Sequence, residues 1–195
     1  MRIGVLGLQG DFREHLNMLR AMGLDPVDVR LPEDLDGVAG LILPGGESTT
    51  LHRLLRFSGL DRAIPEAHRD GMGLYGTCAG MILLGKRIVN DDHTRPFGLI
   101  DVEVARNAYG RQVDSFEAEL DLDGIGPFRA AFIRAPQIVS HGEGVQVLGR
   151  HRGVPVLARQ GRVLVSSFHP ELGTDARVHR YFVESVCAMA PQTTR

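Results

Sequence analysis

Two short segments of the 195-residue chain carry side chains whose types and spacing suit covalent chemistry. The first is Gly76-Thr77-Cys78-Ala79-Gly80, of the form G-x-C-x-G. With serine at its centre this is the nucleophile-elbow pattern, and the physics transfers to cysteine. A strand turns sharply into a helix and holds the central residue in a strained conformation. Glycine two residues away on each side removes the steric clash. The thiol then stands at a helix N-terminus, where N–H groups and the helix dipole favour a thiolate. The N–H of Ala79 is placed to donate to an oxyanion. On this motif alone, a structural cysteine in a glycine-rich turn remains an equal reading.

The second segment is Ser166 to Leu172, "SSFHPEL", directly after an apolar run. His169 and Glu171 lie two residues apart, with Pro170 stiffening the loop between them. A thiol nucleophile needs a base, and the base needs an orienting acceptor. Most of the eight histidines, including His52, His68, His141, His151 and His179, read as surface or satisfied core residues. A third segment, "LPGGEST" from Leu43 to Thr49, can aim backbone N–H groups at a bound oxygen. Its plainer reading is a turn with a helix cap at Ser48 or Thr49. It lacks the G-K-[ST] ending of a phosphate loop.

These segments need strands and helices to position them. Ile3 to Leu8 reads as a buried strand, and Asp11 caps a helix with Phe12, Leu16, Leu19 and Met22 at helical spacing. Strands follow at Pro26 to Arg30, at Val38 to Leu43 and ending at Leu74-Tyr75. Helices follow "GGEST", with Leu51, Leu54, Leu55 and Leu60, then over Asp61 to Arg69 and through "AGMILL". This alternation predicts a three-layer α/β sandwich with a mostly parallel central sheet and helices on both faces. In the second half, strands are expected at Leu99 to Val104, Ser115 to Leu120, Phe128 to Ile133, Val145 to His151, Pro155 to Gln160 and Val163 to Phe168. They are expected to extend the same sheet in antiparallel fashion. A last helix, Thr174 to Met189, carries Val178, Phe182, Val186 and Met189 on one face; Pro191 ends it before a fraying "QTTR" tail.

Bulk properties narrow the class. Residues 1–195 suit one domain, and 43 % hydrophobic residues suffice for a core. A net charge of −2 gives no broad attraction to nucleic acid or anionic lipid. Cys78 and Cys187 make no disulfide framework and no C-x-x-C, which fits a reducing compartment. The opening apolar run, stopped at Gly10-Asp11, is too short for a signal peptide, and no stretch approaches the roughly 20 residues of a membrane helix. A cytoplasmic protein is expected. Gly71 to Gly76 satisfies G-x-G-x-x-G, with Asp91 about twenty residues on, but "EAHRD" precedes it where a dinucleotide site needs a strand. The same "DGMGLYG" run is glycine-rich for a buried strand.

Together these motifs resemble the class I, triad-type glutamine amidotransferases. "GVLGLQGDFREH", "LPGGESTT", "GTCAGMILL", "RNAYGRQVDSFE", "FIRAP" and "SFHPEL" are similar, more narrowly, to the glutaminase subunits of pyridoxal 5′-phosphate synthase. The resemblance spans nearly the whole chain, and "RNAYGRQVDSFE" is its most specific part. It implies Cys78 as nucleophile, His169 as base and Glu171 as the base's partner. It implies Gly46 and Ala79 as oxyanion donors, and Gly46, Glu47, Ser48, Arg106, Ile133 and Arg134 around L-glutamine. Gln9 and Gly10 are implied as oxyanion support or partner contact. The implied partner is a synthase subunit in a large hetero-oligomer that uses the released ammonia and stimulates the glutaminase. No cofactor, metal, nucleic acid or membrane is implied. Three alternatives stay open: an amidotransferase subunit of another pathway, a cysteine peptidase or deglycase on a similar fold, and a non-catalytic scaffold subunit.

Overall fold

Period-two alternation along the apolar strands decides how the layers form. The computed structural model describes residues 1–91, 94–106 and 115–188. Its main sheet contains β1 (Arg2–Leu6), β2 (Val27–Val29), β3 (Val38–Leu43) and β4 (Gly73–Thr77) from the first half. Three short strands lie apart: β5 (Arg87–Ile88), β6 (Val102–Ala105) and, later, β9 (Gln137–His141) form a small sheet. β7 (Ser115–Leu122) and β8 (Gly126–Ile133) form a hairpin of their own. β10 (Gln146–His151), β11 (Val154–Gln160) and β12 (Val163–Ser166) rejoin the main sheet, whose order is β10-β11-β12-β4-β3-β1-β2.

Alternate residues of each central strand face opposite ways. Leu41, Leu43, Leu74, Val163 and Val165 meet α2 (Ser48–Ser58), α3 (Leu60–Arg69) and α4 (Ala79–Leu84) in one core. Ile42, Tyr75 and Leu164 meet α1 (Phe12–Ala21), the hairpin and the C-terminal helix in the other. That helix begins as α5 (Arg177–Tyr181) and widens to a π-helix over Phe182–Cys187. Val178, Phe182 and Val186 are fully buried on its inner face, as the spacing predicts. Burying one such side chain stabilises by roughly 1.5–3 kcal/mol. The predicted α/β architecture is therefore the observed one.

The antiparallel extension is smaller than expected. β11 and β10 run antiparallel, but β12 returns parallel to β4. β7 and β8 stay off the sheet because β7 carries Glu117, Glu119 and Asp121 outward, and a strand covered on both faces cannot. Leu60 opens α3 instead of closing α2, since Gly59 ends α2 in a left-handed turn. Gly73 has a packing reason: a Cβ there would stand 3.0 Å from Cys187 Sγ, where the C-terminal helix leans on the sheet. Gly71 lies in the turn before β4, so the G-x-G-x-x-G run enters a strand and does not follow one. Among the described residues no helix is long and apolar enough to cross a membrane. Residues 107–114 of "RNAYGRQVDSFE", Met189, Pro191 and the "QTTR" tail lie outside the described residues.

Candidate active site

Cys78 sits between β4 and α4 with φ +48° and ψ −101°. That is a sparsely populated region for a residue with a Cβ, and it costs of the order of 1–3 kcal/mol. The surrounding structure enforces it. Cys78 N–H donates to Ser166 O at 2.9 Å, and Cys78 O accepts the N–H of Ile82 at 3.2 Å to begin α4. The flanking glycines are required by close approach. A Cβ on Gly76 would lie 2.5 Å from the Gly80 carbonyl carbon, and one on Gly80 only 2.0 Å from Leu43 O. Ala79 opens α4, so its N–H has no partner inside the helix.

Sheet register delivers the other two groups. Thr77 pairs with Ser166 across β4 and β12, so the chain leaving β12 arrives beside Cys78. His169 N–H is tied to Ala131 O of β8 at 2.8 Å, and a single 3₁₀ turn over Pro170–Leu172 follows. Within it Glu171 Oε1 accepts from His169 Nδ1 at 2.7 Å, with both side chains buried. Nε2 is thus the ring nitrogen left for Cys78. Burial alone would lower the His169 pKa. Hydrogen bonds to Cys78 and Glu171, and their negative charge, outweigh it and push the imidazole up to about 10. Burial pushes the Glu171 carboxyl above its ordinary range, against the pull of His169.

A cleft of about 420 Å³ opens over the thiol. Gln9, Gly10, Gly46, Glu47, Ser48, Cys78, Arg106, Ile133, Arg134 and His169 all line it, and Glu171 stands behind His169. All of them are residues that the sequence resemblance implies for the site. Gln9 Oε1 accepts from Glu47 N–H at 3.1 Å. Asp11 N–H donates to Gly45 O at 3.2 Å, and a Cβ on Gly10 would be 1.8 Å from that oxygen, so only glycine lets these loops touch. Arg106 is held by Asp91 at 2.8 Å and by Thr94 Oγ1 at 2.9 Å. Arg134 has φ +42° at the end of β8.

These features together make a thiol, a base with a fixed tautomer and a buried carboxylate beside a polar cleft. Residues 5–188 match one family profile, the SNO glutamine amidotransferases. The chain belongs to the SNO glutamine amidotransferase family. A Thermotoga neapolitana protein named pyridoxal 5′-phosphate synthase subunit PdxT is 54 % identical to this amidotransferase over 188 residues, covering 95 % of this chain and 100 % of that protein. A Thermus thermophilus protein of the same name is 51 % identical, covering 93 % and 96 %. A crystal structure of a glutamine amidotransferase superposes with a TM-score of 0.92 at 49 % identity, covering 96 % of this chain and 99 % of that one. The structure of PurLQS from Thermotoga maritima, at 16 % identity and a TM-score of 0.69, covers 94 % and 97 % and shares the fold alone.

Some side chains of this amidotransferase do other work than the sequence reading gave them. The α2 cap is Glu47, not Ser48 or Thr49; its carboxylate accepts from Thr49 N–H at 3.0 Å and Thr50 N–H at 2.7 Å. The Thr50 hydroxyl bond, with those N–H groups, holds its pKa down to about 2. Asp11 makes no side-chain cap to α1. Instead it lines the cleft, Oδ2 3.5 Å from His169 Nδ1. Asp11, His169 and Glu171 bring three possible metal-ligand atoms within 4.8 Å, yet Nδ1 already donates to Glu171. Ile82 and Pro136 also line the cleft unforeseen. His179, read as an ordinary histidine, is fully buried behind the site with His15. His15 falls between Phe12 and Leu19 on the apolar stripe of α1, a signal available from spacing alone.

Proposed function

We propose that this chain is the glutaminase subunit of a pyridoxal 5′-phosphate synthase, hydrolysing L-glutamine to L-glutamate and ammonia for a synthase partner. The observation that carries the reading is the Cys78–His169–Glu171 row at the floor of a polar cleft, in a chain of this family. Relatives at 50 to 55 % identity bear the synthase-subunit name. Cys78, as the thiolate whose proton His169 holds, attacks the side-chain carbonyl carbon of glutamine. N–H groups of Ala79 and Gly46 hold the oxyanion. His169, protonated and anchored by Glu171, donates to the departing ammonia and leaves a γ-glutamyl thioester.

The second half-reaction follows from electrostatics. The negative sulfur is part of what raises the His169 pKa. Thioester formation removes that charge, so the His169 pKa falls and the imidazole, neutral after giving its proton to ammonia, stays free to take a proton from water. Water attack then releases glutamate and restores Cys78. Arg106 and Arg134 suit the substrate carboxylate, and Ile133 its methylene stem. Glu47, Ser48 and backbone carbonyls of that rim suit the ammonium group. Gln9 and Gly10 brace the Gly46 loop and lie where a partner would reach it. We assign the chain one domain, a place in the cytoplasm and a large hetero-oligomer with the synthase subunits. The site needs no metal or cofactor for these steps.

The test of pathway is the partner itself. Glutamate release from glutamine is measured with and without a synthase subunit of this kind. Stimulation by the synthase supports the reading. Equal rates with and without it move the enzyme to another pathway, and cleavage of peptides without glutamine turnover favours the peptidase alternative.

A further inference from the structure

Behind Glu171 lie two buried histidines that the chemistry above does not use. His15 Nδ1 is 2.8 Å from His179 Nε2, and both residues are fully buried. His15 Nε2 stands 3.3 Å from Thr77 Oγ1 and 3.4 Å from Glu171 Oε2. Neither that buried carboxylate oxygen nor His179 Nδ1 has a hydrogen-bond partner, so His15 Nε2, at 3.4 Å, is the polar group nearest to hand for Oε2. Thr77 precedes the nucleophile, so one imidazole touches both the elbow and the acid. It comes from α1, the helix that packs on the turn carrying Glu171.

What each ring atom faces selects the tautomers. Burial, with the neighbouring His179 and His169, lowers the His15 pKa well below its ordinary value, and burial lowers that of His179 to about 4, so both rings are neutral. A neutral ring has one N–H. If His15 carried it on Nδ1, its Nε2 lone pair would face the Glu171 carboxylate. His179 would then hold an orphaned, buried Nδ1–H, which is costly. If His15 carries it on Nε2, that N–H faces Glu171 and Thr77. His179 Nε2–H then donates to His15 Nδ1, and only an acceptor is left without a partner.

We infer that His15 is the positioning residue of the triad acid: its Nε2–H is shared between Glu171 Oε2 and Thr77 Oγ1, and His179 fixes that tautomer from behind. This rests on the reading of Glu171 as the partner of the catalytic base. The result is a row running Cys78, His169, Glu171, His15, His179, in which every shared proton points toward Glu171 or toward the ring that serves it. The titratable groups around the carboxylate are His169, His15, Asp11 and Tyr75. A donor on Oε2 favours the ionised carboxylate. It also fixes the plane in which Oε1 receives His169.

The test has two arms. Imidazole ¹⁵N NMR on the folded chain reads the tautomers without any turnover. A protonated Nε2 and bare Nδ1 on His15 are expected, with His179 protonated at Nε2; a His15 Nδ1–H tautomer overturns the inference even if glutamine is hydrolysed. The second arm compares His15→Leu with His15→Gln, whose amide N–H replaces Nε2–H, in the presence of the synthase. His15→Leu is expected to lower kcat roughly tenfold to hundredfold, the worth of a hydrogen bond to a charged group, with KM for glutamine unchanged. The acid limb of kcat/KM is expected to move to higher pH, because Glu171 protonates more readily without its donor. His15→Gln is expected to restore both. Equal losses in the two folded variants with an unmoved acid limb would reduce His15 to packing and sink the proposal. If His15→Leu does not fold, the tautomer decides. If the unsubstituted chain and synthase release no glutamate, the glutaminase reading fails, while the tautomers still judge the hydrogen-bond row.

Discussion

The two walls of the cleft are built differently. The floor, with Cys78, His169 and Glu171, is buried and fixed by main-chain bonds: Cys78 N–H to Ser166, His169 N–H to Ala131 and the β4–β12 register. The rim, with Gly46, Glu47, Arg106, Ile133 and Arg134, is more exposed, and Glu47 and Arg106 are anchored through their own side-chain atoms, Glu47 on two backbone N–H groups and Arg106 on two side chains. Glu47 is engaged with Thr49 and Thr50, and Arg106 with Asp91 and Thr94. On the proposed function, the difference means that the chemistry is pre-organised through the sheet and substrate recognition rests on side-chain contacts at the rim. Substitutions in the floor should therefore change kcat or folding. Those in the rim should change KM or only stability.

The largest effect is expected at Glu171. Glu171→Gln keeps the volume and removes the charge that anchors His169. Glutaminase kcat in the presence of the synthase should fall roughly 10²–10⁴-fold with little change in KM. A drop confined to KM would place Glu171 with the rim. For the unsubstituted chain, burial raises the Glu171 pKa, and in the proposed mechanism the ionised form is the active one. Activity should therefore fall as pH drops through a value above the ordinary 4.5 of a glutamate. A pH–rate profile flat through that region would contradict the assignment.

Next comes the elbow backbone. Gly80→Ala puts a Cβ 2.0 Å from Leu43 O, a clash that no rotamer relieves. Denaturant unfolding should show a loss of about 1–3 kcal/mol or more. Unchanged stability would mean the elbow is looser than its contacts indicate. In the rim, Arg106→Lys keeps charge but loses the planar fork. KM for glutamine should rise about tenfold, worth about 1.4 kcal/mol, while kcat holds. A kcat effect alone would break the contrast between the walls.

The smallest effect is expected at the α2 cap. Glu47→Ala should cost about 0.5–2 kcal/mol at neutral pH. The folded-state pKa is depressed to about 2, so the cap's contribution is full above the ordinary 4.5 and is lost as pH falls through about 2. Melting curves of the two proteins should converge on acidification. A gap that persists at low pH would show that charge is not what Glu47 contributes.

How much was legible follows the same division. The floor could be read because its signals are local: two glycines around a cysteine, and His-Pro-Glu after an apolar strand. The strands of the main sheet were legible because burial on both faces leaves apolar runs, as in Val38–Leu43. β9 was missed because Gln137–His141 buries little beyond Ile138, and β5 is only two residues long. Glu47 as a cap was missed because glutamate is not a preferred cap residue, and two N–H groups in reach decided it. Asp11 was read by local grammar as a helix cap, and His15 was not singled out from the other histidines. Their partners, His169 and Glu171, lie more than 150 residues away in sequence and only the fold brings them near.

The central claim is that Cys78 forms a thioester with glutamine under the control of His169 and Glu171. The most direct measurement is glutamate release from glutamine by the chain with a pyridoxal 5′-phosphate synthase partner, beside Cys78→Ala at equal concentration and equal thermal stability. Release by the unsubstituted chain, with a covalent adduct 129 Da heavier (roughly, by the γ-glutamyl mass) trapped on Cys78 in acid quench and none in the variant, is the predicted result. Release that survives Cys78→Ala, or no release from either protein with the partner present, would contradict the account.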